Sequence, residues 1–166
     1  MSQEEGKTPV DTPPKQQKEE EQKSSGTYEA GCHCGYIRFS VTLTPALPQY
    51  KVLNCNCSAC TRFGYLLVYP EASAVTWHND SRARCSNYRF NTKAKDQMFC
   101  KHCGASIGID FREVHAPKHI YGISVRTFFD VDLDSLTYEK LDGRNMVRPA
   151  GDLSGQYWDE EAQRLK

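Results

Sequence analysis

Apolar and polar residues alternate along much of the chain. Ile37, Phe39, Val41 and Leu43 are separated by Arg38, Ser40 and Thr42, and Ile107, Ile109 and Phe111 by Gly108 and Asp110. That two-residue period belongs to strands with one buried face. Short segments rich in β-branched and aromatic residues predict further strands at Tyr65 to Tyr69, stopped by Pro70, and at Ala74 to Trp77, before an Asn79-Asp80 turn. Ala83 to Phe90, Gln97 to Cys100 and Ile120 to Arg126 read the same way. No segment sustains the 3.6-residue apolar period of a long helix, although Asp134 to Leu141 has room for a turn or two. The predicted class is all-β (mainly β), a β-sheet fold with short helical turns.

Met1 to Thr27 breaks the pattern. It sets Glu4, Glu5, Asp11, Glu19, Glu20 and Glu21 against Lys7, Lys15, Lys18 and Lys23, with three prolines and almost nothing apolar. Such a segment buries too little surface to offset its ordering entropy, so residues 1–27 are expected to be a disordered tail. The folded domain is expected over residues 28–148. Residues 149–166 read as a loosely attached C-terminal tail with Tyr157 and Trp158 as anchors.

Composition narrows the function classes. The 166 residues hold 21 lysines and arginines against 21 aspartates and glutamates, a balance that points to neither nucleic acid nor a membrane surface as partner. The first 22 residues lack the apolar run of a signal peptide, and no later stretch approaches the ~18 apolar residues of a membrane span. The expected compartment is therefore reducing, the cytoplasm or nucleus, where stable disulfides are rare.

That compartment decides how the cysteines are read. Seven of eight fall into three clusters, Cys32-His33-Cys34, Cys55-Asn56-Cys57-Ser58-Ala59-Cys60 and Cys100-Lys101-His102-Cys103. Thiols spaced so tightly are metal ligands rather than disulfide partners. The outer two clusters are each followed by glycine, Gly35 and Gly104, and each runs into a predicted strand, the layout of a zinc knuckle. Together Cys32, Cys34, Cys100 and Cys103 saturate one tetrahedral zinc, a structural site. His33 and His102 are expected to point outward.

Cys55, Cys57 and Cys60 provide three thiolates and leave one position open, the arrangement of a reactive zinc. Three thiolates give the zinc a net charge of roughly minus one, which suits an incoming thiol better than water. Arg62 is a candidate for charge compensation or a substrate carboxylate. Cys85 is a candidate fourth ligand, though a lone strand cysteine is more commonly a small buried apolar group. His78, His115 and His119 have no metal-ligand spacing, and His115 with His119 is a candidate pocket edge.

The three motifs Gly31-Cys32-His33-Cys34-Gly35, Cys55-Asn56-Cys57-Ser58-Ala59-Cys60 and Phe99-Cys100-Lys101-His102-Cys103-Gly104, in that order, resemble the glutathione-dependent formaldehyde-activating enzymes, also called the centromere protein V/Gfa domain family. The resemblance covers Tyr28 to Leu141. It implies an Mss4-like, zinc-tied β-sheet fold with two zinc ions per chain, one structural on Cys32, Cys34, Cys100 and Cys103 and one catalytic on Cys55, Cys57 and Cys60. It further implies a carbon–sulfur lyase whose type reaction adds glutathione to formaldehyde to give S-hydroxymethylglutathione. The partner so implied is a small thiol, with glutathione as the candidate.

Two other readings compete. One is a non-catalytic zinc scaffold like the centromere- and microtubule-associated relatives, whose basic, proline-rich extension contrasts with the mildly acidic tail here. The other is a thiol redox protein using Cys57 with Cys60 or Cys100 with Cys103, although no βαβ context for such a motif is visible.

Overall fold

The computed structural model describes residues 24–146, 158–159 and 161–165. Period-two segments become paired strands. β1 (Gly26–Gly31) and β2 (Arg38–Leu43) form a hairpin, and β5 (Val75–Trp77) joins the far side of β2 to complete a three-stranded sheet. β1 starts two residues before the expected domain boundary, because Thr27 Oγ1 pairs with Thr42 Oγ1 at 2.9 Å and extends the ladder.

A larger sheet holds seven strands. In chain order they are β3 (Val52–Cys55), β4 (Leu67–Val68), β6 (Cys85–Tyr88), β7 (Asp96–Cys100), β8 (Ser106–Asp110), β9 (Tyr121–Ser124) and β10 (Tyr138–Leu141). Their spatial order is β10-β3-β4-β9-β8-β7-β6, antiparallel except for the β10–β3 pair. A small hairpin, β11 (Trp158–Asp159) with β12 (Arg164–Leu165), lies in the predicted C-terminal tail. Residues 1–23, most of the predicted N-terminal tail, and Tyr157 lie outside the described residues.

The larger sheet buries both faces. Val52, Val68, Met98, Ile107 and Ile123 pack with Phe39, Val41 and Val75 of the smaller sheet in the main core. Leu53, Leu67, Ile109 and Phe111 pack on the opposite side with Tyr65, Cys55, Cys57 and Cys60 in a second cluster. The protein is all-β with an Mss4-like architecture, and its helices are short: α1 (Ser58–Phe63), α2 (Ser81–Arg84) and α3 (Gly143–Met146). Among the described residues no helix is long and apolar enough to cross a membrane.

Three local expectations are corrected. Ala83 and Arg84 belong to α2, which follows the left-handed Asn79 and Asp80, so the strand begins at Cys85. Where Asp134 to Leu141 has room for a turn or two, Leu133–Ser135 forms a single 3-10 turn and Tyr138–Leu141 is the strand β10, whose hydrogen-bond partner β3 lies far away in sequence. Ile120 to Arg126 is strand only as far as Ser124, after which Val125–Thr127 makes a 3-10 turn.

Candidate metal centres

Two knuckles build the four-sulfur group. After β1, the Gly35 N–H bonds the Cys32 carbonyl at 3.2 Å and the Ile37 N–H donates to the Cys32 sulfur at 3.2 Å. After β7, the Gly104 N–H bonds the Cys100 carbonyl at 2.8 Å and the Cys100 N–H bonds Ala105 at 3.0 Å. Gly35 and Gly104 have φ of 77° and 74°, the left-handed region where a side chain is strained. The resulting sulfurs lie within 4.8 Å of one another, with Cys32 to Cys34 at 3.6 Å and Cys34 to Cys100 at 3.7 Å. A tetrahedral zinc with bonds of ~2.3 Å requires sulfur edges of ~3.8 Å, whereas a disulfide requires ~2.05 Å. The spacing fits a shared metal. Backbone N–H groups of Ala105 and Cys34 hold the Cys103 thiol down to about 6, so this ligand is disposed to ionise. His33 and His102 are exposed, and His102 stacks on Tyr36 with 4.0 Å between ring centroids.

Cys55, Cys57 and Cys60 form the second group, also within 4.8 Å of one another and all buried. They come from a strand end and a short helix rather than from a plain loop. Cys55 ends β3, Cys57 caps α1, and Cys60 points inward from the helix, which ends at Gly64 with φ 68°. Burial opposes ionisation of Cys57, but the Cys60 and Ala59 N–H groups and the neighbouring thiols outweigh it and lower its pKa. Burial pushes Cys55 up, and burial with the charges of Cys57 and Cys55 pushes Cys60 up. Three thiolates this close repel one another unless a cation lies among them. The donor set fits a thiophilic dication such as zinc.

No fourth His, Cys, Asp or Glu joins this group among the described residues. Cys85 is far from the role of fourth ligand. It pairs in register with Cys100, and its thiol donates to the Ser81 carbonyl at 3.6 Å, so it is a buried neighbour of the other group. Arg62 is exposed and donates to the Ser58 carbonyl of its own helix at 3.3 Å.

Beside this group a cavity of about 630 Å³ opens. Cys55, Cys57 and Cys60 line one end, and Leu53, Leu67, Ile109 and Leu141 form apolar walls. The β6–β7 connection supplies Phe90, Thr92 and Lys95, and the segment after β8 supplies Phe111 and His115. His115 thus borders the cavity. His119 instead bonds Asp110 at 2.7 Å, and His78 faces Glu29 at 3.8 Å.

Four residues that matter here carry no signal at sequence level. The Cβ missing from Gly143 would overlap the Cys55 sulfur, so only glycine lets α3 lie against this ligand. Asn56 Nδ2 donates to Asp142 Oδ1 at 2.8 Å and Asn56 Oδ1 accepts from the Arg144 N–H at 2.9 Å, clamping the thiol loop to that turn. Tyr69 lines the cavity, and burial together with the charges of Cys60 and Cys55 raises its phenol pKa. Gln97 lines it from β7. The Asp142-Gly143 dipeptide marks a turn, but nothing in it says that the turn meets a cysteine 88 positions earlier.

The family model described as glutathione-dependent formaldehyde-activating enzyme matches residues 27–134. Among solved structures, a Rhodobacter sphaeroides protein superposes with a TM-score of 0.54 at 23% identity, covering 67% of this chain and 99% of its own. At that identity the likeness establishes the shared fold.

Proposed function

Because the chain belongs to the glutathione-dependent formaldehyde-activating enzyme family, we propose that it makes and breaks the carbon–sulfur bond of a small thiol adduct of the S-hydroxymethylglutathione kind. Cys32, Cys34, Cys100 and Cys103 hold a structural zinc, and Cys55, Cys57 and Cys60 hold a catalytic one. The observation that carries this reading is the inequality of the two groups: four sulfurs enclose one position, while the three-sulfur group faces a cavity.

When bound, the second zinc supplies one open coordination position and the field that ionises an incoming thiol. The chain does the rest. Cys55, Cys57 and Cys60 add negative charge that keeps a fourth sulfur electron-rich and nucleophilic. Leu53, Leu67, Ile109 and Leu141 exclude bulk water and hold an aldehyde carbon near that sulfur. As the carbon–sulfur bond forms, the carbonyl π pair moves to oxygen. Tyr69 keeps its phenolic proton until then and lines the same space, so it protonates that oxygen and regains a proton from solvent in place of the one the thiol released there. Cleavage runs the same steps backward.

Native mass spectrometry joined to an exchange assay tests the reading. The parent should carry two zincs and accelerate exchange between free aldehyde and its glutathione adduct. Cys57→Ala should carry one zinc, stay folded and lose the acceleration. A Cys57→Ala variant that unfolds, or that exchanges at the parent rate, would refute it.

A further inference from the structure

Gln97 is an oddity of the cavity. It is 4% exposed, and its Oε1 is buried with no hydrogen-bond partner. The other side-chain atom in that condition among the described residues, Trp77 Nε1, belongs to the smaller sheet, away from the cavity lining. Gln97 pairs in register with Ile109, so the two side chains share the sheet face that forms the cavity wall. Buried amide oxygens normally find a donor, and one left without a partner beside a cavity marks a place where a ligand supplies it.

The rest of the lining says what kind of ligand. A volume of about 630 Å³ falls inside the ~300–1,000 Å³ range of pockets for drug-sized molecules. A one-carbon electrophile is hardly larger than a water molecule, whose share of liquid volume is about 30 Å³. Aliphatic and aromatic side chains dominate the walls, with Asn91, Thr92, Lys95, Gln97 and His115 as polar members and no carboxylate to receive an ammonium group. One cation, Lys95, stands 4.9 Å from the centre of the Phe111 ring. Charged groups seated against such walls would be desolvated without partners, so the charged ends of a glutathione adduct stay in solvent, whereas an apolar aldehyde body gains from burial.

We propose that the cavity takes an aldehyde with an apolar body well beyond one carbon, and that the Gln97 amide reads the hydroxyl of its thiol adduct. This rests on the lyase reading above and names its substrate class. The thiol sulfur adds to the aldehyde carbon, the oxygen becomes the adduct hydroxyl with a proton that balances the one the thiol released, and no oxidant or reductant is required. That hydroxyl donates to Gln97 Oε1, the one buried side-chain acceptor without a partner among the described residues of this wall.

The test measures NMR exchange between aldehyde and glutathione adduct, for phenylacetaldehyde and for formaldehyde, with the zinc-loaded protein. The kcat/KM for exchange should be at least about tenfold greater for phenylacetaldehyde, the scale of one or two kcal/mol of apolar burial. Gln97→Leu should lower the phenylacetaldehyde value about tenfold to a hundredfold, as expected for one lost hydrogen bond to the adduct. The same variant should retain its zinc content and its affinity for S-(2-phenylethyl)glutathione, a thioether without the hydroxyl. Gln97→Met, which keeps the side-chain length and removes the amide, serves if the leucine variant does not fold. Preference for formaldehyde overturns the proposal while leaving the lyase reading intact. Equal loss of thioether affinity and turnover overturns the role of Gln97, since it would then be only a wall. Acceleration with neither aldehyde, matched by Cys57→Ala, brings down the lyase reading and this proposal with it.

Discussion

At the scale of single residues, the three-sulfur group is set by contacts that leave no slack. A methyl group on Gly143 would collide with the Cys55 sulfur and sit 3.1 Å from the Cys57 Cβ. Neither neighbour can retreat easily, because Cys55 ends a strand and Cys57 caps a helix. Gly143→Ala should therefore weaken zinc at this group by about tenfold to a hundredfold, the usual scale for disturbing the support of a metal ligand. Zinc on Cys32, Cys34, Cys100 and Cys103 should stay. Competition with a chromogenic chelator would resolve the two sites, and loss of both zincs at once would contradict the assignment. Tyr69→Phe makes a complementary change, since it removes a hydroxyl and leaves the ring packed near Phe111. It should cut kcat for adduct exchange about a hundredfold, within the usual range for a lost proton donor, with zinc content unchanged. An unaltered pH–rate profile and kcat would remove Tyr69 from the mechanism.

Among the secondary-structure elements, some were visible in the sequence and others were made by partners. β2 shows as alternation because one face meets a core and sequence records that period directly, whereas β8 alternates only in residue type, since Ile107 packs in the core between the sheets and Ile109 on the cavity side. The two knuckles were equally plain, since Cys-x-Cys-Gly and Cys-x-x-Cys-Gly encode both the ligands and the turn. α1 was missed because six residues cannot display a 3.6-residue period, although Gly64 is a fitting C-terminal cap. β10 leaves no strand signal because its hydrogen bonds go to β3, a partner invisible to local pattern. Most hidden was the ion cluster across β7 and β8. Asp96 and Asp110 are register partners, and Arg82 bonds Asp110 at 2.6 Å and lies 3.8 Å from Asp96. Burial opposes ionisation of Asp110, but hydrogen bonds from Arg82, His119 and the Arg112 N–H outweigh it and lower its pKa. A carboxylate with a lowered folded pKa binds fewer protons folded than unfolded, so it stabilises above the ordinary value of about 4 and loses that contribution as pH falls through the folded value. Asp110→Asn should thus cost on the order of 2 kcal/mol at pH 7. The gap from the parent should narrow below pH 4. Urea midpoints of both proteins at pH 7 and pH 3 would show it, and a constant gap would exclude the carboxylate as the source.

For the molecule as a whole, the two cysteine groups stand on different sides of the larger sheet and should answer differently to damage. Cys32 and Cys100 belong to the core between the sheets, where a metal held by their group would tie the β1–β2 hairpin to the β7–β8 hairpin. Cys34 and Cys100 are 66 positions apart, and a crosslink over that span removes about 4 kcal/mol of chain entropy from the unfolded state. Cys55, Cys57 and Cys60 cluster within six positions on the outer face, so a metal there closes only a short loop. Cys100→Ala should therefore lower unfolding free energy by about 4 kcal/mol, a large share of the roughly 5–15 kcal/mol of an ordinary domain. Cys57→Ala should lower it by no more than about 1–2 kcal/mol while abolishing exchange. Urea denaturation of both variants, each with its zinc content measured, makes the comparison. If Cys57→Ala proved the more destabilising, the outer group would be the staple. The vacancy beside it would then have no bearing on catalysis, because a metal that holds the fold has no reason to keep a coordination position facing a cavity.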